Sequence, residues 1–495
     1  MFFDWLEDAA RHHGTANAVV QKDTYLSFRG LVHRAQRRMQ ELRALGLEPG
    51  TAMGILLGNV SDFIVLALAA NKLGAAVVPM APQCSARELA HAMAVLPLRA
   101  IVSRPGLRAL EPDGQLLAHE PRLPSPTKRT RLQGSLLSCA LYPAEGGPTL
   151  PPDTAIVHLV PGSAGPYNPV IRSATALSRE AERLHALLGS MDRLKLGAAL
   201  PLYQPFTLEI ALALTCGYGA ALHLDDDLAP RQTAHRARET SQVIWAVTRA
   251  LLWSLVTITP HRPLGPGSRL LCVDGPVGRA LGQASHRALG IHPEGLLHCP
   301  EVGLVSMDSN GKAPSTVGAV VPGIEIRLLG PRQAPVAAGR RGRLVASPGE
   351  PADSSPGGRG ARKRGVSPGD KTWIDTGHLA ALDPLGRLKL HGRDDDRVFV
   401  GGLPVSLSEV REILLAHPSV SDAEVAEPPP EAPSALDGSA LLLARAARRD
   451  GTPEEALLAH MGRLLSPHKV PARVDLVGAR GLAARTEAGR RRTRS

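Results

Sequence analysis

The first hundred residues alternate between helix-like and strand-like patterns of hydrophobic and polar positions. Apolar residues recur at helical spacing over residues 31–45 and 62–73. Short apolar runs predict strands at residues 52–57, 75–79 and 100–103. Because strands that alternate with helices pair as βαβ units, the pattern predicts a parallel sheet covered by helices on both faces.

The pattern continues along the chain and then changes near residue 393. Residues 207–215 predict an apolar helix that stops at Gly217. After residue 393, a predicted strand at 397–400 is followed by a predicted helix at 408–416. We therefore expect an α/β protein with two parts: a large N-terminal domain of helix-covered sheets, residues 1–392, and a small α+β C-terminal lid domain, residues 393–495.

Composition and charge narrow the class of protein. Of the 495 residues, 43% are hydrophobic and 21% are charged, which is typical of a globular protein. The net charge of +11 would suit nucleic acid, but the basic residues are scattered, apart from a run at 485–495, and no folded nucleic-acid-binding motif accompanies them. We therefore expect no nucleic-acid partner. Residues 348–371 and 427–438, rich in Pro with Gly, Ser or Arg, are expected to lack regular structure.

Cysteine usage and the N-terminal residues indicate a reduced, cytoplasmic protein. The five cysteines are odd in number, and none are paired at the spacing of metal ligands. The acidic N-terminus lacks the apolar run of a signal peptide. The longest apolar stretch, residues 63–80, is interrupted by Asn71 and Lys72, so we expect no membrane span.

A Gly- and Ser-containing loop at residues 160–168 follows a predicted strand. In such loops, glycines let backbone N–H groups approach phosphate oxygens, and hydroxyls add donors. The loop resembles the phosphate-binding loop of the AMP-forming adenylate ligases, the superfamily of acyl-CoA synthetases, peptide-synthetase adenylation domains and luciferases. By this resemblance Gly162, Ser163 and Gly165 would bind ATP, with Asn168 standing where the family has a lysine.

Three further stretches resemble motifs of the same superfamily. The turn at Gly275 and Pro276 resembles the one that lies against adenine. Glu301 matches the acidic residue that ligates Mg²⁺, in a motif whose other residues are replaced. The stretch that begins at Pro201 resembles a motif that lines the acyl pocket, and our candidates for that pocket are Gln204, Phe206 and Trp245.

The most specific match runs through residues 373–420. His378 stands where the family has an aspartate that accepts hydrogen bonds from both ribose hydroxyls, and Arg393 matches an arginine near the ribose. Asp395 matches the hinge about which the small domain rotates. Near the C-terminus, Arg490 takes the place of a catalytic lysine that bridges the substrate carboxylate and the α-phosphate.

The resemblance implies two hypotheses, because the ATP site is degenerate. In the first, the chain uses ATP and Mg²⁺ to convert a small carboxylic acid into an acyl-adenylate, and then passes the acyl group to the thiol of CoA or of an acyl or peptidyl carrier protein. In the second, it is a catalytically inactive homologue that serves as a binding or scaffold module, since fold does not confer activity.

Overall fold

The computed structural model describes most of the chain. Several sequence predictions fall outside the described part: Gly162, Ser163, Gly165, Arg490, the arginine-rich tail, nearly all of residues 348–371 and most of 427–438. The described residues are 2–22, 24–107, 120–143, 149–161, 167–189, 194–225, 230–258, 263–337, 339–348, 372–428 and 442–477.

The large domain alternates strands and helices. Its strands are β1 (Asn17–Gln21), β2 (Thr24–Ser27), β3 (Ala52–Leu56), β4 (Ala76–Pro79), β5 (Ala100–Ser103), β6 (Lys128–Arg131), β7 (Ser138–Leu141), β8 (Thr154–Val160), β9 (Asn168–Ser173), β10 (Lys195–Ala198), β11 (Ala221–Leu224), β12 (Val243–Val247), β13 (Arg269–Cys272), β14 (Glu294–Cys299), β15 (Gly303–Met307), β16 (Ala319–Val320), β17 (Glu325–Leu329), β18 (Gly342–Ser347), β19 (Ile374–Leu382) and β20 (Leu388–Arg393). Its helices are α1 (Phe2–His13), α2 (Phe28–Ala44), α3 (Ser61–Leu73), α4 (Ala86–Val95), α5 (Ala174–Leu188), α6 (Pro205–Tyr218), α7 (Pro230–Glu239), α8 (Arg249–Ile258) and α9 (Arg279–Leu289).

These strands form three sheets. The orders are β6-β7-β5-β3-β4-β8-β9, β16-β15-β14-β13-β12-β10-β11-β1-β2 and β17-β18-β19-β20. The expectation of a parallel sheet is correct for the inner strands of the first two sheets and wrong for their edges. The edge pairs β8–β9 and β14–β15 are antiparallel because a short connection returns the chain directly along its neighbour.

The main hydrophobic core lies between the two largest sheets, around α3 and α6. Both helices are apolar on nearly every face, which suits helices that are covered on all sides. The sequence placed the end of the second helix at Gly217, and this was wrong by two residues. Gly217 stays helical, and the helix ends at Tyr218 with Gly219 as its cap, whose φ of 70° is the left-handed conformation that glycine adopts without strain.

The small domain has its own core, built from residues between Val398 and Val474. A hairpin of β21 (Arg397–Val400) and β22 (Leu403–Ser406) turns at two glycines with positive φ. A three-stranded sheet packs against two helices. The remaining elements are α10 (Leu407–Leu415), β23 (Val420–Ala426), β24 (Leu443–Arg448), α11 (Glu454–Leu464) and β25 (Val474–Val477). Within the described part of the chain, no helix combines the length and apolarity needed to cross a bilayer.

Candidate functional site

Five charged or polar side chains join the two domains, and we call them the hinge chain: His378, Arg393, Asp395, Arg397 and Glu301. Arg393, the last residue of β20, donates from Nε to Asp395 Oδ1 at 2.6 Å and from Nη2 to Asp395 Oδ2 at 2.7 Å. Arg397 Nε donates to the same carboxylate at 2.8 Å. Arg397 Nη1 also lies 3.2 Å from Oε1 of Glu301, a residue of the large domain. Positive and negative groups thus alternate across the domain junction.

The backbone of this junction depends on a glycine. Gly377 has a φ of 71°, and a Cβ placed on it would lie 2.2 Å from Asp395 Oδ2. No side chain other than hydrogen can therefore stand beside the Arg393–Asp395 pair.

His378 is held as a neutral acceptor. Burial, with the nearby Arg393 charge second, lowers the pKa of His378 to about 3. Arg393 Nη1 lies 2.8 Å from its Nε2 atom and donates to the ring. The residue predicted for the ribose site is therefore already bonded to the arginine predicted beside it.

The structure does not offer Glu301 as a free magnesium ligand. Its carboxylate is paired with Arg397, and the preceding Pro300 contributes no side-chain donor. Mg²⁺ demands near-octahedral oxygen coordination and usually takes one or two carboxylates together with phosphate and water. The arrangement of Glu301 therefore does not fit the ion while the Arg397 pair is closed.

A second group of polar side chains, which we call the buried cluster, lies inside the large domain. Glu209 of α6 accepts from His158 Nε2 at 2.8 Å and from Arg172 Nε at 3.2 Å, and its Oε2 atom is 3.2 Å from His298 Nε2. Arg172 also binds Glu180, which lies 3.4 Å from His298. All five side chains are at most 10% exposed.

Opposite charges balance within the buried cluster. Burial alone would lower the pKa of His298, but hydrogen bonds to Glu180 and Glu209 outweigh it and raise the pKa to about 9. Burial pushes the pKa of Glu209 upward, yet Arg172 and the two histidines hold it well below its usual range. Glu180, Glu209 and His298 could offer three metal ligands within 4.8 Å of one another. Arg172 already supplies cationic charge to both carboxylates, so the cluster is satisfied as an ion-pair network.

The buried cluster was not recognised as a group from the sequence, although His298 stands in the same motif as Glu301. One signal was present: Glu209 is a lone acid in the otherwise apolar helix α6. A charged residue in that position must find a partner, because an unpaired buried charge is costly. The partners come from β8, β9, α5 and β14, and no spacing rule connects those elements.

The three candidates for the acyl pocket do not share one wall. Gln204 is the N-cap of α6, and its Oε1 atom accepts from Thr207 N and Oγ1, both at 2.7 Å. Phe206 is 2% exposed and packs edge-on against His298, with ring centroids 5.3 Å apart. Trp245 belongs to the core cluster on the other face of β12, so the sheet separates it from Phe206.

The other predicted nucleotide residues lie at element ends. Asn168 is the first residue of β9 and is half-buried. Gly275 follows β13 with a φ of 113° and bridges to Leu296 of β14. The preceding Asp274 accepts hydrogen bonds from Arg249 N at 3.0 and 3.1 Å, at the start of α8. The turn at Gly275 and Pro276 is therefore fixed between β13 and α8.

A cavity of about 80 Å³, partly open to solvent, lies between the domains, and we call it the interdomain cavity. The ends of β4 and β8 form one side, and the β21–β22 hairpin with a short 3-10 turn at Pro467–Lys469 forms the other. Its walls are mainly apolar or aromatic, with polar groups at a few points. They include two histidines, two tyrosines, a cysteine and a leucine: His158, His468, Tyr167, Tyr203, Cys84 and Leu403.

Buried ion pairs hold the small domain beside this cavity. We call the set the interface network: Arg87, Glu88, Glu120, Glu409 and Lys469. Lys469 Nζ lies 2.7 Å from Glu88 Oε1 and 2.8 Å from Glu409 Oε2, while Arg87 Nη1 lies 2.9 Å from Glu409 Oε1. These side chains are at most 5% exposed. Burial opposes ionisation of Glu88, but Lys469 lowers its pKa to about 2.

Comparison with known proteins identifies relatives over most of the chain. The family described as "AMP-binding enzyme" matches residues 6–349. Novobiocin biosynthesis protein H of Streptomyces niveus is 26% identical and aligns with 96% of this chain and 79% of its own length. A salicylyl-CoA synthase / salicylate adenylyltransferase of a Streptomyces species is also 26% identical, with coverage of 86% and 81%.

Solved structures share the whole two-domain fold. A double mutant of o-succinylbenzoate CoA synthetase (MenE) from Bacillus subtilis, bound to its product analogue OSB-NCoA, superposes with a TM-score of 0.78 at 19% identity, covering 96% of this chain and 94% of that one. The same synthetase in complex with ATP and magnesium gives a TM-score of 0.66 at 19% identity, with coverage of 96% and 95%. The amide bond synthetase McbA from Marinactinospora thermotolerans gives 0.77 at 20% identity, with coverage of 96% and 95%.

Proposed function

This chain belongs to the family of AMP-binding enzymes, and from that premise we propose that it activates a small carboxylic acid with ATP. The acid attacks the α-phosphorus, pyrophosphate leaves and an acyl-adenylate forms. The acyl group then passes to a thiol, either that of CoA or that of an acyl or peptidyl carrier protein. We place this reaction in the cytoplasm.

The convergence of the hinge chain supports this proposal most directly. Glu301, His378 and the Arg393–Arg397 segment are separated by up to 96 positions, yet their side chains form one connected set at the domain junction. The Arg393 guanidinium within that set supplies fixed positive charge, which is what binding a phosphate ester requires. Catalysis in such a site consists of positioning and charge stabilisation.

The interdomain cavity supports the choice of a thiol acceptor. Both domains contribute to its lining, and its mainly apolar walls suit the end of an arm that carries a thiol. Salicylyl-CoA synthase aligns with 86% of the chain, MenE shares its two-domain fold, and both names state CoA as a partner. The nature of the arm, free CoA or a protein-bound carrier, belongs to the proposal.

Pyrophosphate exchange tests the first step. With Mg²⁺-ATP and a panel of aliphatic and aryl acids, we expect acid-dependent exchange of labelled pyrophosphate into ATP. Arg393→Ala should reduce exchange strongly, because it removes the donor to both Asp395 and His378. Arg34→Ala, an exposed arginine of α2, is the matched control. Absence of exchange with every acid, in well-folded protein, would exclude the adenylation step.

The second candidate function is a catalytically inactive binding module. The observation that favours it is that the predicted nucleotide ligands are paired with one another: Glu301 with Arg397, and His378 with Arg393. ATP would have to replace those contacts. Calorimetric titration distinguishes the two, since an inactive module of this kind should show no heat of ATP binding while retaining a normal thermal transition.

A further inference from the structure

We propose that His158 is the general base of the thiol-transfer step. The assignment rests on the function proposed above and adds a catalytic residue to it. It starts from a position: His158 lies in β8, at the strand end that opens into the interdomain cavity, and its side chain lines that cavity. The strand belongs to the large sheet, so the ring is carried on a rigid element.

Glu209 fixes the tautomer of His158. The carboxylate lies 2.8 Å from His158 Nε2, and its lowered pKa keeps it ionised and therefore an acceptor only. Nε2 must carry the proton in that contact, which leaves Nδ1 with its lone pair. Among the described residues, Nδ1 has no hydrogen-bond partner, and the side chain, which is 2% exposed, lines the cavity. A base is thus presented to the cavity.

Glu209 is itself held by groups that do not reach the cavity. Arg172 binds it through Nε and Nη2, at 3.2 and 3.3 Å, and His298 lies on its other side. These contacts leave the Glu209–His158 hydrogen bond in one orientation. The pairing has the logic of a catalytic dyad, in which a buried carboxylate orients an imidazole toward an incoming nucleophile.

The other titratable groups of the cavity do not suit the role of a base. Burial, and next the Lys469 charge, lower the pKa of His468 to about 4. The Glu88 carboxylate is ion-paired with Lys469 and its pKa is lowered, so it does not readily accept a proton. Burial raises the pKa of the Cys84 thiol and of the Tyr167 and Tyr203 phenols, so these groups keep their protons. The charged and titratable groups packed around His158 and the cavity are Glu88, Arg172, Glu180, Glu209, His298, His468 and Lys469.

The proposed step is balanced. The thiol sulfur attacks the carbonyl carbon of the acyl-adenylate and forms a C–S bond. The carbon–oxygen bond to AMP breaks, and AMP leaves with that electron pair. The thiol proton moves to His158 Nδ1, and the imidazolium that results is stabilised by the Glu209 carboxylate. Solvent in the cavity then removes the proton.

Single-turnover transfer from synthetic acyl-adenylates tests the role without the ATP half-reaction. In His158→Gln, the amide can still donate to Glu209 but offers no base. We expect transfer to coenzyme A to fall by about 10²-fold or more, the usual contribution of general-base catalysis. Transfer to an aryl thiol, which is already ionised at neutral pH, should change little. The acidic limb of the wild-type pH–rate profile for coenzyme A should be absent in the variant.

The outcomes separate the two proposals. Equal loss with both thiols, or no loss with either, would overturn the role of His158. Failure of wild-type protein to transfer from any adenylate would overturn it as well. Absent pyrophosphate exchange combined with normal transfer would reject the adenylation step alone. Gln36→Ala, a half-buried polar residue of α2, is a control, and added imidazole should restore part of the lost rate in His158→Ala if the ring acts as a base.

Discussion

Individual side chains decide whether the proposed nucleotide site is available, and Arg397 is the most direct case. It binds Asp395 and Glu301 at once, and it and Glu301 are each about one-fifth exposed. An ion pair in that setting contributes about 1 kcal/mol or less. A modest binding energy from a nucleotide is therefore enough to open it.

Replacing Arg397 by Gln should tighten Mg²⁺-dependent ATP binding by about five- to tenfold, because Glu301 is released while Arg393 still holds Asp395. Calorimetric titration of ATP with and without Mg²⁺ measures the effect. Arg411→Gln removes a half-exposed ion pair between Arg411 of α10 and Asp422 of β23, and it should leave both titrations unchanged. A loss of ATP binding in Arg397→Gln would instead assign Arg397 to the nucleotide.

His298 makes stability depend on pH in the alkaline direction. Its pKa rises from an ordinary 6.5 to about 9 on folding, so its contribution is complete below pH 6.5 and is lost as pH rises through 9. The shift corresponds to roughly 3 kcal/mol at most. In wild-type protein, the free energy of unfolding from urea titrations should fall between pH 6.5 and 9, and this fall should be much smaller in His298→Gln.

The control for that experiment is His223, a histidine whose pKa moves the other way. Burial, followed by the charges of Lys195 and Arg236, lowers the pKa of His223 to about 4. It is therefore neutral in both the folded and the unfolded protein near pH 8. His223→Gln should retain the wild-type slope from pH 8 upward, and a loss of slope in this variant would mean that other groups titrate there.

At the scale of elements, the packing between strands β10 and β12 depends on one glycine and one tryptophan. Gly197 and Trp245 are neighbours in this parallel pair, and a Cβ on Gly197 would lie 2.2 Å from Cε3 of the indole. The ring therefore covers the strand backbone where a side chain would stand. Trp245 therefore packs on the face of the sheet away from Phe206. The sequence interpretation, which put both residues in one pocket, could not predict this packing.

Gly197→Ala should destabilise the protein by about 1–3 kcal/mol, the usual cost of overpacking a core. The second-site change Trp245→Leu should recover part of that loss, because it removes the ring that meets the new methyl group. Denaturant midpoints of both single variants and the double variant measure the coupling. Strictly additive effects would contradict the contact.

The sequence was informative about elements and much less so about contacts between them. It located β5 and β21 to the residue, because a short apolar run is a local property. It matched Gly377, whose backbone conformation has few alternatives. It could not find the Glu209–His158 hydrogen bond or the Arg397–Glu301 pair, since each joins elements brought together only by the folded sheets. The proposed domain boundary at residue 392 lies one residue before the end of β20.

At the scale of the whole molecule, the interface network holds the small domain in one position. Rotation about Asp395 would have to separate Arg87 from Glu409 and Lys469 from Glu88. Removing one partner of such a buried ion pair leaves the other charge uncompensated, at a cost of about 3–5 kcal/mol.

Arg87→Met should therefore release the small domain without unfolding it. We expect limited proteolysis to cut faster near residues 393–397 and to leave a stable fragment of about 390 residues, as expected for a small domain with its own core. Arg34→Ala again serves as the exposed-arginine control. An unchanged cleavage rate with an unchanged fragment pattern would mean that the network does not hold the domain.

The interface network also gives the two domains an unusual response to heat. The cost of removing charged groups from water decreases as temperature rises, because the ordering of water around ions becomes less favourable. Apolar contacts gain no comparable advantage. Warming therefore strengthens the attachment between the domains relative to the packing inside each one, and the molecule approaches its melting temperature as a single cooperative body.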